Sequence, residues 1–93
     1  MPKFSRSPDF ILEAGQRLKA ARLALGLSSK DVCEAINVQP NTYSQWEHGK
    51  AMIDPAAATR LKIQFGVSLD WIYAGDPAGL PYSIASKALK DAS

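Results

Sequence analysis

An all-α domain of five short helices with a short tail behind it is the architecture this sequence predicts. Three observations carry the expectation. Apolar residues recur at spacings of three and four, as in Ile11, Ala14, Leu18, Ala21 and Leu25, which places them on one stripe of a helix. Each such run opens on a capping Ser or Asp or on a proline, and closes on Gly or Asn. These residue types favour helix starts and helix stops respectively. The two-residue alternation of a half-buried strand is absent from the chain.

The elements follow in order. Ser7-Pro8-Asp9 starts the first helix, with Ser as N-cap, Pro at the first helical position and Asp at the positive end of the dipole. It runs to Gly26, and Gly15 interrupts its pattern, so separate or frayed first turns are expected. The second helix begins at Ser28-Ser29-Lys30-Asp31, where Ser28 and Asp31 have the capping-box layout. Val32, Cys33 and Ile36 form its inner face. Pro40 forces this helix to stop, and Asn37 can supply the left-handed residue of such a stop. Pro40 then heads a third helix that runs to about His48 and closes at Gly49. Asp54-Pro55 opens the fourth, which buries Ala58, Leu61 and Phe65 and ends at Gly66. Ser68 caps a short fifth helix, Leu69 to Tyr73, ended by Gly75. Residues 75–82 are turn-rich, and Ser83 to Leu89 can form a last short helix.

Composition excludes several classes. A chain of 93 residues suits one small domain, and 46% hydrophobic with 22% charged residues is globular rather than disordered material. Cys33 is the one cysteine and His48 the one histidine, so neither an internal disulfide nor a zinc site is expected. No cofactor is expected either. Paired acids at useful spacing and a Gly-rich phosphate loop are both lacking, which argues against an enzyme. No apolar run is long enough to span a membrane and no signal-peptide core stands at the N-terminus, so a cytoplasmic protein is expected. Net charge is +2, but Lys3, Arg6, Arg17, Lys19 and Arg22 stand against only Asp9 and Glu13 in the first quarter. That excess suits a polyanion or a solvated surface equally.

The stretch QPNTYSQWEHGK, Gln39 to Lys50, is the most informative. The link Asn37-Val38-Gln39 is so short that the second and third helices must turn sharply, a helix-turn-helix arrangement. Cys33 then lies at the crossing, where a small apolar side chain is needed. Tyr43 and Trp46 share the inward face. Outward stand Gln39, Asn41, Ser44 and Gln45, amides and hydroxyls where an idle helix carries Lys and Glu. They form either a recognition surface or a merely solvated one.

Residues from about 16 to 75 resemble the phage repressor and Cro-type (Xre-type) helix-turn-helix domain. The matching pieces are RLKAARLALGLS, VCEAINVQPNTYSQWEHGK and FGVSLDWIYAGD. The most specific parts are Trp46-Glu47-His48-Gly49 and the run from Gly66 to Trp71. The resemblance implies a compact, lambda-repressor-like five-helix fold. Its third helix, residues 39–48, enters the major groove of double-stranded DNA by its N-terminal end. Base reading falls to Gln39, Pro40, Asn41, Ser44 and Gln45, since amides bond both edges of adenine and Pro offers an apolar surface to a thymine methyl. Phosphate candidates are Arg17, Ser29, Lys30, Thr42 and Lys50, with Arg17 and Lys30 equally readable as solvated charges. Relatives usually have Gln at the position of Ser29, where it bonds a phosphate and braces the reading helix, and Ser is too short for both. They usually have Gly at the position of Asn37. Arg22 and Glu47 match a pair that forms a partly buried salt bridge. No Arg or Lys stands between Gln39 and Glu47, so modest affinity without strong guanine readout is expected.

A small transcriptional regulator, most simply a repressor, is the function the resemblance implies. One helix pair covers one half-site, so a homodimer on a pseudo-palindrome is expected. Val67, Leu69, Trp71 and Leu80 are dimer candidates, and the same residues equally suit covering the domain's own core. The expected division is a basic arm over 1–8, the DNA-binding domain over 9–75 and a tail over 76–93 that either dimerises or packs back. The arm, through Lys3 and Arg6, can reach along DNA. The alternative is a protein-binding module or antitoxin that docks a protein such as a toxin. No membrane partner is expected, and the place of action would be the cytoplasm, at the nucleoid.

Overall fold

The computed structural model describes residues 8–92. Lys3, Arg6 and Ser7, and with them the expected arm and first N-cap, lie outside the described residues. Within them every regular element is helical. The chain runs through α1 (Pro8–Ala24), α2 (Ser29–Ile36), α3 (Pro40–Glu47) and α4 (Pro55–Phe65). A π-helical turn (Asp70–Ala74), a 3-10 turn (Pro77–Gly79) and α5 (Tyr82–Ala92) follow. None of these helices is long and apolar enough to cross a membrane.

α1 is unbroken at Gly15, which corrects the expectation of separate first turns. A Cβ at that position would run into the carbonyl oxygen of Trp46. Gly15 therefore lets the end of α3 press against the α1 backbone, at a local cost of about 0.5–1 kcal/mol in helix stability.

The caps expected from sequence form as physical contacts. Ser28 Oγ accepts from the Asp31 N–H at 3.1 Å and Asp31 Oδ2 accepts from the Ser28 N–H at 3.2 Å, a closed capping box. Asn37 ends α2 in the left-handed region at φ 57°. Asp54 Oδ1 accepts from the Ala57 N–H at 2.8 Å, and Ser68 Oγ accepts from the Trp71 N–H at 3.1 Å. The short fifth helix is realised as the π-helical turn, closed by Gly75 at φ 75°.

One core joins these elements. Leu18, Ala21, Val32, Ile36, Tyr43, Trp46, Ala58, Leu61, Val67, Trp71 and Ile72 are all buried in a single cluster. Tying bonds reinforce it: Trp71 Nε1 donates to the Arg17 carbonyl at 2.9 Å and the Tyr73 hydroxyl to the Ile53 carbonyl at 2.8 Å. The tail packs back. α5 is longer than the sequence suggests and lies on α1, with Leu80, Ile84 and Ala88 buried. The dimer candidates fall on this core. Val67, Trp71 and Leu80 are core residues, and Leu69 is half-buried against that core. Their apolar surface is satisfied within the domain, because the segment after α4 folds back under α1.

Candidate nucleic-acid interface

The sharp α2–α3 turn has a local cause. The N–H groups of Asn37 and Val38 both bond the Cys33 carbonyl, so α2 closes within one residue of left-handed backbone. Gln39 then adopts an extended conformation (φ −65°, ψ 138°) and Pro40 enters at the first helical position of α3. Cys33 is buried at this crossing and its thiol pKa is raised chiefly by that burial, so it acts as a small apolar side chain.

α3 is held from behind. Tyr43 is 1% exposed and Trp46 5%, and their rings meet edge to face with centroids 6.0 Å apart. At the far end Arg22 grips Glu47 with two hydrogen bonds, Nε to Oε2 at 2.7 Å and Nη2 to Oε1 at 3.1 Å. Arg22 Nη1 also donates to the Leu27 carbonyl at 3.0 Å. The hydrogen bond to Glu47 is the main reason the Arg22 pKa is raised. This is the partly buried bridge that the resemblance implies, and it fixes α3 to α1 and to the α1–α2 connection.

With two aromatic rings inward, the rest of α3 faces out. Gln39, Pro40, Asn41, Thr42, Ser44 and Gln45 are all exposed. The N-cap residue Gln39 makes no side-chain capping bond, so its amide is not spent on the helix start. Ser29 and Lys30 are exposed at the start of α2, and Lys50 is exposed just beyond α3. Ser29 and Lys30 thus stand at the leading end of α2, and Lys50 at the trailing end of α3.

Arg17 stands apart from them. Its Nε donates to the Ile72 carbonyl at 3.0 Å and its Nη2 to the Tyr73 carbonyl at 3.3 Å. Burial lowers its pKa, with Glu13 acting in the opposite direction. Arg17 thus braces the π-helical turn through two of its three guanidinium nitrogens. Arg60 serves α2 likewise, its Nη1 donating to the Ile36 carbonyl at 3.1 Å. Nothing in sequence spacing signals either contact.

Two residues outside the expected contact set lie close to it. Lys19 and His48 line a cleft of about 230 Å³ together with Arg22, Ser29, Pro40, Tyr43, Ser44 and Glu47. The available signal was the spacing of four in Pro40, Ser44 and His48, which puts them on one stripe of α3.

The sequence model of the helix-turn-helix family matches residues 18–72. Among curated proteins, the chain is similar to the repressor protein CI of Enterobacteria phage phi80. The two are 33% identical over 61 residues, which is 66% of this chain and 25% of the phage protein. The chain thus spans about a quarter of that relative's length. No solved structure matches the chain.

Proposed function

This chain belongs to the helix-turn-helix family, in its phage-repressor (Xre-like) form, and from that premise we propose that it is a sequence-specific DNA-binding transcriptional regulator that represses. α3 enters the major groove by its proline-led end. Gln39, Pro40, Asn41, Ser44 and Gln45 read base edges there, and Ser29, Lys30, Thr42 and Lys50 meet the phosphates. Arg17 is left out of this set because its guanidinium already serves two carbonyls.

The observation that carries the reading is the asymmetry of α3. Its two aromatic rings are buried and every proposed base-reading side chain is exposed. That leaves a firmly held helix with a free amide face, which is what direct readout of adenine-containing sites needs. A homodimer would place two such helices on half-sites one helical turn, roughly 34 Å, apart.

Selection of bound sites from random duplexes is the direct test. A recovered motif with two-fold symmetry and half-sites about one turn apart is expected. Asn41→Ala and Gln45→Ala should each cost about 1–3 kcal/mol on the selected site and relax preference at one position. Lys50→Ala should weaken all sequences alike. Equal losses on selected and random DNA for all three variants would contradict these roles.

A further inference from the structure

We propose that Gly15 on α1 and Gly49 just past α3 are positioning residues for DNA recognition: they set the pitch at which α3 presents its amide face to the bases, and neither touches DNA. The proposal rests on the DNA-binding reading above and adds to it two residues that act only through the helix they seat.

α1 and the trailing end of α3 meet backbone to backbone. Gly15 is buried within α1. A Cβ there would collide with the Trp46 carbonyl oxygen and stand 3.0 Å from the Glu47 carbonyl oxygen. Gly49 answers from the other side. It sits at φ 72°, and a Cβ on it would lie 2.7 Å from Leu12 Cδ1 and 2.9 Å from Leu12 Cα. Leu12 and Gly15 are three residues apart and share a face of α1, so the two glycines interlock, one from each partner. The Trp46 carbonyl and Leu12 Cα are backbone, so turning a side chain does not relieve either contact.

Of the two helices, α3 is the one free to give way. α1 is held from its far side: Trp71 Nε1 bonds the Arg17 carbonyl at 2.9 Å, Arg17 Nε bonds the Ile72 carbonyl at 3.0 Å, and α5 packs along it. α3 has solvent on its outer face, where Asn41, Ser44 and Gln45 are exposed. Its leading end is pinned by the tight turn in which the Asn37 and Val38 N–H groups both bond the Cys33 carbonyl. A side chain at position 15 therefore lifts the trailing end and pivots α3 about Pro40. α3 has eight residues, roughly 12 Å of helix, so the displacement grows from Asn41 to Gln45. Base readout is held to about 0.5 Å, and Gln45 loses its partner before Asn41 does. Ser29 and Lys30 stand on α2 and stay in place, and a Lys ammonium on its flexible stem follows a phosphate easily.

The test measures binding of the whole chain to the selected site and to a random duplex at one low salt concentration, well below the melting temperature of each variant. Gly15→Ala and Gly49→Ala are compared with wild type and with Gln16→Ala, an exposed neighbour on α1. Each is also combined with Asn41→Ala and with Gln45→Ala. Gly15→Ala should bind the random duplex within about twofold of wild type and the selected site about tenfold more weakly, the worth of one base contact. In that background Gln45→Ala should carry almost no further loss, while Asn41→Ala keeps most of its own. Gly49→Ala should repeat this pattern, and Gln16→Ala should match wild type. In DNA-free protein, amide NMR shifts of Gly15→Ala should change more from Gln45 to His48 than at Asn41; changes confined to α1 would overturn the pivot. Equal losses on both duplexes, with the Asn41 and Gln45 penalties unchanged, would make the glycines residues of the fold alone. Wild-type binding by Gly15→Ala, or failure of both glycine variants to fold, overturns the proposal as well. Wild type failing to bind any duplex at low salt instead sinks the DNA-binding reading, a result seen before any variant is made.

Discussion

At the scale of single residues, Tyr43 shows how a side chain that holds the reading helix in place also sets a pH limit on the fold. Burial, with a smaller contribution from Glu47, raises its phenol pKa well above the usual tyrosine range. A group whose folded pKa lies above its unfolded value lends stability that is fully present below the unfolded pKa, about 10 for tyrosine, and lost as pH rises beyond it. Cys33 acts with the same sign from about pH 8.5, since its thiol pKa is also raised, but it is common to wild type and a Tyr43 variant. Tyr43→Phe should stay within about 1 kcal/mol of wild type in stability at neutral pH, because the lost hydroxyl makes no hydrogen bond of ordinary geometry although it lies beside Glu47. Above about pH 10 wild type should lose stability faster than the variant. Urea titrations across that range check this, and parallel losses would refute it. Asn37 acts differently. It carries left-handed backbone at φ 57° where glycine would be unstrained, and Asn tolerates that region better than most residues.

At the scale of elements, what could be read from the sequence follows from how far each cause reaches. Caps are local: Ser28 with Asp31, Asn37, Pro40, Asp54 and Gly66 act on backbone within a few residues, so the starts and stops of α2, α3 and α4 were legible. The exposed face of α3 was legible too, because helical periodicity alone sends Tyr43 and Trp46 inward. Gly15 was misread because its reason, the Trp46 carbonyl, comes from another helix. The Arg17 bonds to the Ile72 and Tyr73 carbonyls were not legible because a carbonyl and a phosphate ask the same thing of a guanidinium. The cleft was invisible because three helices build it. The Arg22–Glu47 bridge, implied by resemblance, supplies the prediction at this scale. Its side chains are 13% and 8% exposed, so removing one partner leaves a largely desolvated charge. Arg22→Ala should cost about 3–5 kcal/mol, whereas Arg22→Met combined with Glu47→Leu should recover most of that loss. Denaturant midpoints decide it, and a double variant no better than Arg22→Ala would show that α3 is held there by something other than charge balance.

At the scale of the whole molecule, stability and assembly meet in α5. A domain of this size holds together by roughly 5–14 kcal/mol, so the burial of Leu80, Ile84 and Ala88 is a sizeable share of what folds it. If α5 belongs to the domain's own core, Ile84→Ala should cost about 2–5 kcal/mol as a cavity on the α1 face. The melting temperature should then drop equally in dilute and concentrated protein. If instead the tail dimerised, folding and association would be linked, and the melting temperature would rise with protein concentration until Ile84→Ala removed that dependence. The two arrangements differ for DNA binding as well. A self-packed α5 leaves the α2–α3 surface unchanged, so Ile84→Ala, studied well below its melting point, should keep the base preference of wild type. Its affinity should fall only by the fraction of chain unfolded. A concentration-dependent melt in wild type, abolished in Ile84→Ala together with cooperative binding to paired half-sites, would move α5 from the core of one chain to the contact between two.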